Sequence, residues 1–232
     1  MSIHFLSFGN KKYKNSIIRI GNEIQSINMV NYIHTYNEND LMNITEFWEK
    51  HKNFVLSNER GYGYWLWKSF LTLKTLDEMN EGDILIYADA GCEILANKKV
   101  QFENLINLAK NDKSGFISFE MRTNIEKVWT KSDLFDYLNC FDLKDTPQIH
   151  ATYFVVKKCE KSMDLVKQWY NISSIYSLLD DTPSKIANDA AFNDHRHDQS
   201  ILSLLRKKHN TMIIKENDFH FFDCIRESRI RN

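Results

Sequence analysis

The sequence predicts a single α/β domain, residues 1–232, with a mostly parallel central sheet flanked by helices. Short apolar runs alternate with segments whose apolar residues recur at helical spacing, the pattern of strands and helices layered on one another. One run, Ile84-Leu85-Ile86-Tyr87-Ala88, has no polar face, as expected of a strand covered on both sides at the centre of a parallel sheet. With 232 residues, 7 Gly, 2 Pro, no internal repeat and no linker, the chain suffices for one such sheet and shows no place to divide.

Ile3-His4-Phe5-Leu6-Ser7-Phe8, closed by Gly9-Asn10, predicts a buried first strand and a turn. Ile17, Ile18, Ile20 and Ile24 predict a helix over 14–26, residues 29–36 a second strand, and Leu41, Ile44, Phe47, Trp48 and Phe54 a helix over 41–55. Arg60-Gly61-Tyr62-Gly63-Tyr64 reads as a flexible loop. Leu66, Phe70, Leu73 and Leu76 then share a face, so a helix is expected over 65–79, ended by Asn80-Glu81-Gly82 with Gly82 as a left-handed cap. The central strand stops at Asp89-Ala90-Gly91. Phe102, Leu105, Ile106 and Leu108 mark another helix, 115–119 a strand, and 132–139 a short helix capped by Ser132. Residues 152–156 predict a buried strand and 160–178 a long amphipathic helix. A polar loop over 179–196 precedes a helix from about His197, and Met212 to Ile214 is the last strand before a basic tail, Arg226 to Arg231.

Composition narrows the function. Lys plus Arg number 30 against 31 Asp plus Glu, and the net charge of −1 excludes a nucleic-acid binder held by bulk electrostatics. Aromatic residues at 13% exclude a disordered chain. Cys92, Cys140, Cys159 and Cys224 form no CxxC pair, which argues against structural zinc and dithiol redox chemistry. The first apolar stretch is too short for a signal peptide, and no run approaches the ~18 residues of a membrane span. A reduced cytoplasmic protein without a transmembrane segment is therefore expected. The basic clusters, the tail included, read as solubilising surface.

Asp89 ends the central strand. Ligands of open α/β sheets collect outside the carboxyl ends of such strands, where a carboxylate can accept a ribose hydroxyl or hold a divalent cation. Asp equally often caps the turn that follows. Arg60, in the Gly-containing loop, and Lys68, in the first turn of the next helix, can hold phosphate through charge-assisted hydrogen bonds, or can be ordinary surface charges. Trp65 and Trp67 cannot fill the same core slot, so one can stack on a sugar or base while the other packs. In His195-Arg196-His197-Asp198-Gln199, an acidic helix start complements the dipole. Glu126 and Trp129-Thr130-Lys131 are candidates for an acceptor side.

Gly61-Tyr62-Gly63-Tyr64-Trp65-Leu66-Trp67-Lys68, Tyr87-Ala88-Asp89-Ala90-Gly91-Cys92-Glu93 and His195-Arg196-His197-Asp198-Gln199-Ser200 together resemble a small family of GT-A-type glycosyltransferases from large DNA viruses and bacteria. The resemblance implies a GT-A-like fold and transfer of a hexose or deoxyhexose from a nucleotide-diphosphate sugar, expected to be UDP-linked, to a glycan hydroxyl, in the host cytoplasm if the source is viral. It implies that Phe8 and Gly9 grip the base and that Trp65, Asp89, Ala90 and Gly91 contact the nucleotide sugar. Asp198, with His197 beside it, would serve the reacting centre as base, nucleophile or acceptor-orienting group. Asp89 stands as the first residue of the family's Asp-x-Asp metal signature, implying Mn²⁺ or Mg²⁺ on the diphosphate. Gly91 holds the second position, a departure, and Glu93 or His220 would have to complete the metal site. A sugar-1-phosphate nucleotidyltransferase and a non-catalytic nucleotide-sugar or glycan-binding module are the alternatives.

Overall fold

The computed structural model describes residues 1–230; Arg231 of the basic tail lies outside them. The strands are β1 (Ile3–Phe8), β2 (Tyr32–Tyr36), β3 (Ile84–Ala88), β4 (Glu93–Ile94), β5 (Phe116–Ile125), β6 (Pro147–Ile149), β7 (Tyr153–Lys157), β8 (Met212–Ile214) and β9 (Ile225–Arg226). The longer helices are α1 (Lys14–Ser26), α2 (Thr45–Ser57), α3 (Leu66–Glu78), α4 (Lys99–Asn111), α5 (Ser132–Leu138), α6 (Glu160–Ser173) and α7 (Asp198–Lys208).

The main sheet has the order β2-β1-β3-β7-β5-β6, with β8 beside β5, and β4 pairs with β9 in a separate ribbon. β2, β1, β3, β5 and β8 run one way and β7 and β6 the other, so the sheet is mixed but mostly co-directional. β3 is buried along its whole length, as its unbroken apolar run requires. Alternate side chains split the core in two. Leu6, Leu85, Tyr87 and Phe154 pack with Phe47, Phe70, Trp169 and Leu204 of α2, α3, α6 and α7. Phe5, Ile86 and Val155 pack on the opposite face with Ile20 of α1 and Phe102 of α4.

Several expectations are corrected. The segment 41–55 holds two helices, a short one at Glu38–Met42 closed by an Asn37–Asp40 capping box, and α2. Lys131, not Ser132, stands at the cap of α5, and the Asn188 side chain accepts from the Ser132 N–H instead, at 2.8 Å. The helix from 160 stops at Ser173 and resumes as one turn at Tyr176–Leu179. Gly82 has φ 82°, but sits in a turn beyond the end of α3 rather than at its cap. Residues 61–65 are no flexible loop: Gly61, Tyr62, Gly63, Tyr64 and Trp65 have φ of 60°, 53°, 83°, 51° and 59°, a continuous left-handed turn.

Candidate active site

A cleft of about 520 Å³ opens at the carboxyl ends of β1 and β3. Asp89 follows β3 directly. Its N–H donates to the Thr152 carbonyl at 2.8 Å, and the Tyr87 hydroxyl donates to its Oδ1 at 2.5 Å, so backbone and carboxylate are both fixed.

Lys68 reaches the same oxygen from α3. Its Nζ lies 3.1 Å from Asp89 Oδ1, 3.0 Å from Asp198 Oδ2 and 3.2 Å from the Ala151 carbonyl. The Ala151 carbonyl accepts a hydrogen bond from the ammonium, and the two carboxylates flank it as ion pairs. The side chain is 3% exposed; burial disfavours its charge, but Asp198 and Asp89 outweigh that and hold its pKa above the usual lysine value. Lys68, expected to hold the diphosphate, lines the cleft and joins the two carboxylates. Burial pushes the Asp198 carboxyl up to about 6; Lys68 opposes the shift and the Asp89 charge adds to it.

The left-handed turn sets this geometry. The Tyr64 N–H donates to the Arg60 carbonyl at 2.8 Å and the Trp65 N–H to the Gly61 carbonyl at 3.1 Å. A Cβ on Gly61 would lie 2.4 Å from the Trp65 ring, and one on Gly63 2.9 Å from Val55 Cγ2. Tyr62, Tyr64 and Trp65 are each held in a conformation that costs an L-residue roughly 1–2 kcal/mol. Such strain persists only where the surroundings enforce it. The turn puts Trp65 on the cleft wall and starts α3 so that Lys68 points inward.

The other expected residues divide. Phe8, Ala90 and Gly91 line the cleft, and Phe8 packs on Trp67 with ring centres 4.1 Å apart. Gly9 is absent from the wall; a Cβ there would meet Ile17 and the Tyr13 carbonyl at 3.0 and 3.1 Å, so it serves the close approach of α1 to β1. Arg60 lines the cleft but is clamped by Asp194 at 2.8 Å and Asp181 at 3.1 Å, tying the 179–196 loop to the left-handed turn. His197, expected to be catalytic, is on the cleft lining. It is 1% exposed, its Nδ1–H donates to the Leu179 carbonyl at 2.7 Å, and its ring packs on Tyr64 and Trp65. Burial lowers its pKa to about 4, so it is neutral at pH 7. Its φ of 53° turns the chain into α7 and delivers Asp198 to Lys68. Glu126 is buried, bonded to Thr130 at 2.8 Å and Lys207 at 2.7 Å, and belongs to the interior rather than to an acceptor side.

The expected metal ligands do not assemble. Glu93, in β4, accepts from the Ser228 hydroxyl and faces Arg226 of β9 at 3.9 Å. His220 sits in an exposed turn against Phe221, with ring centres 3.9 Å apart. Among the described residues no three His, Cys, Asp or Glu side chains form a metal-holding group. The C-terminal tail lies beside Gly91. The Ile230 N–H donates to the Gly91 carbonyl at 3.1 Å, and a Cβ on Gly91 would lie 3.3 Å from Arg229 Cα, so the tail covers the place of the second acidic residue. With it come two cleft residues that the sequence reading missed, Glu227 and Arg229, and Arg196 joins them from the 179–196 loop. Burial and the nearby Asp89 charge push the Glu227 carboxyl up, against Arg229.

No family model matches the chain, and no curated protein matches it in sequence. Among solved structures it is similar to a glycosyltransferase involved in the glycosylation of the major capsid of PBCV-1, at 11% identity over 100% of this chain and 96% of that chain, TM-score 0.54. It is similar to apo mouse xyloside xylosyltransferase 1, at 10% identity over 100% and 95% of the two chains, TM-score 0.51. It also resembles the apo glycosyltransferase GlyE of Streptococcus pneumoniae, at 12% identity over 98% of this chain and 54% of that one, TM-score 0.51. These likenesses establish the fold class: a GT-A-like α/β domain.

Proposed function

We propose that the protein is a glycosyltransferase that moves a hexosyl or deoxyhexosyl group from a nucleotide-diphosphate sugar, UDP-linked, to a glycan hydroxyl. The observation that carries this reading is the pairing of Asp89 and Asp198 through Lys68 at the carboxyl end of the central strand, inside a cleft walled by Trp65 and Phe8. Asp89 accepts ribose hydroxyls, and the aromatic wall takes base and sugar faces. In transfer the bond from the anomeric carbon to the diphosphate oxygen breaks and one to the acceptor oxygen forms. The acceptor's proton passes to the Asp198 carboxylate, and the nucleoside diphosphate departs with the bonding pair. The transition state is oxocarbenium-like, and the Asp198 carboxylate supplies negative charge beside it. No helix among the described residues is long and apolar enough to cross a membrane. Incubating the protein with a panel of UDP-, GDP- and CMP-sugars and following nucleotide release tests the reading. Release from one donor, lost in Asp89→Ala, is expected; release from none refutes it.

A further inference from the structure

The leaving group of the proposed reaction departs with extra negative charge that something must neutralise. The residues expected to hold a metal do not come together, and a dication brought to Asp89 would be set against the buried Lys68 ammonium. Arg60 is already engaged by Asp181 and Asp194. Two guanidinium groups on the same cleft, Arg196 and Arg229, have no ion pair within 4.0 Å among the described residues. The Arg196 side chain lies over the Trp129 ring at 4.1 Å, and its Nε is buried without an acceptor. Arg229 arrives on the tail, which rests on Gly91 next to Asp89. After burial, the charges of Arg229 and Arg60 also act on Arg196 to lower its pKa against the pull of Asp194, so three cations converge on one region of the cleft.

Resting on the transferase reading, we propose that Arg196 and Arg229 form a diphosphate seat that replaces the divalent cation, making donor binding and turnover metal-independent. A guanidinium presents paired N–H donors that match phosphate oxygens, and its charge does not depend on pH in the working range. Gly91 fits this arrangement: where a second Asp would bind metal, a residue without Cβ lets the tail lie flat and carry Arg229 to the diphosphate.

Tryptophan fluorescence or calorimetric titration with UDP and UMP, and with GDP and GMP, in EDTA and in Mn²⁺, tests the proposal. In EDTA one diphosphate is expected to bind at least about tenfold more tightly than its monophosphate, the size of effect a pair of charge-assisted contacts gives. Arg229→Ala and Arg196→Ala are each expected to erase most of that margin while leaving the monophosphate within about twofold. Arg226→Ala, the same charge loss on the same tail but paired to Glu93 outside the cleft, leaves the margin intact. Arg229 is exposed, so its variant reports binding even if Arg196→Ala fails to fold. Diphosphate binding only with Mn²⁺, unaffected by either variant, overturns the proposal and leaves the transferase reading standing. Binding of neither diphosphate under any condition removes both.

Discussion

Lys68 holds two carboxylates that would otherwise repel each other across the floor of the cleft. Removing one partner of a buried ion pair leaves an uncompensated charge and costs about 3–5 kcal/mol. Lys68→Met is therefore expected to lower the unfolding free energy by that order, read as an earlier urea midpoint, and its Asp198 carboxyl to titrate still higher than about 6. The same value sets a pH profile. Asp198 is ionised above about 6, so the turnover of the wild type should fall as pH drops through that value. Asp198→Asn should have low, flat activity across the same range; an unchanged acid limb in that variant would show that another group titrates. The residue types at this centre were legible in the sequence: Asp89 from its place after an unbroken apolar strand, Asp198 from the head of a helix. The link between them was not, because Lys68 and Asp198 meet only once α3 and α7 are packed on the same sheet face.

The left-handed turn over 61–65 is the least typical element of the fold, and it is where sequence reasoning stopped at a loop. Two glycines announced conformational freedom; nothing local announced that Tyr62, Tyr64 and Trp65 would share it, since the turn is held from outside, Gly63 against Val55 and the Tyr64 and Trp65 rings against His197. Gly61→Ala tests its rigidity. The new methyl would meet the Trp65 ring at 2.4 Å, and left-handed φ disfavours alanine, so a loss on the order of 2 kcal/mol in stability is expected, with weaker donor binding as Trp65 is displaced. A neutral effect in a urea titration would mean that the turn is free to relax. The tail is the second element that the sequence reading misplaced. Its basic composition resembles any solvated terminus, and only the contacts at Gly91 and Ser16 lay it on the cleft.

For the molecule as a whole, the layered α/β class was readable from the alternation of apolar runs and helical periodicity. The antiparallel entry of β7 between β3 and β5 was not, because a strand buried on both faces reads the same in either direction. That packing also buries several imidazoles in neutral form. Burial lowers the pKa of His51 and His197 to about 4 and that of His150 to about 3, all from 6.5. Between pH 6.5 and 4 the unfolded chain takes up protons at these positions and the native protein does not, so stability falls as pH falls. Each imidazole contributes a slope of about 1.4 kcal/mol per pH unit, and Asp198 and Glu227, which hold their protons longer when folded, oppose with two groups. Urea midpoints at pH 7, 6 and 5 should decline steadily; a flat series would contradict the buried neutral histidines.

In the proposed reaction a donor sugar reacts at the cleft where Asp89 ends the central strand. Nucleotide release from the preferred nucleotide sugar, measured in the wild type and in Asp89→Ala with circular dichroism confirming equal folding, tests it most directly. Release reduced to background in a folded variant is the predicted result. Undiminished release would contradict it.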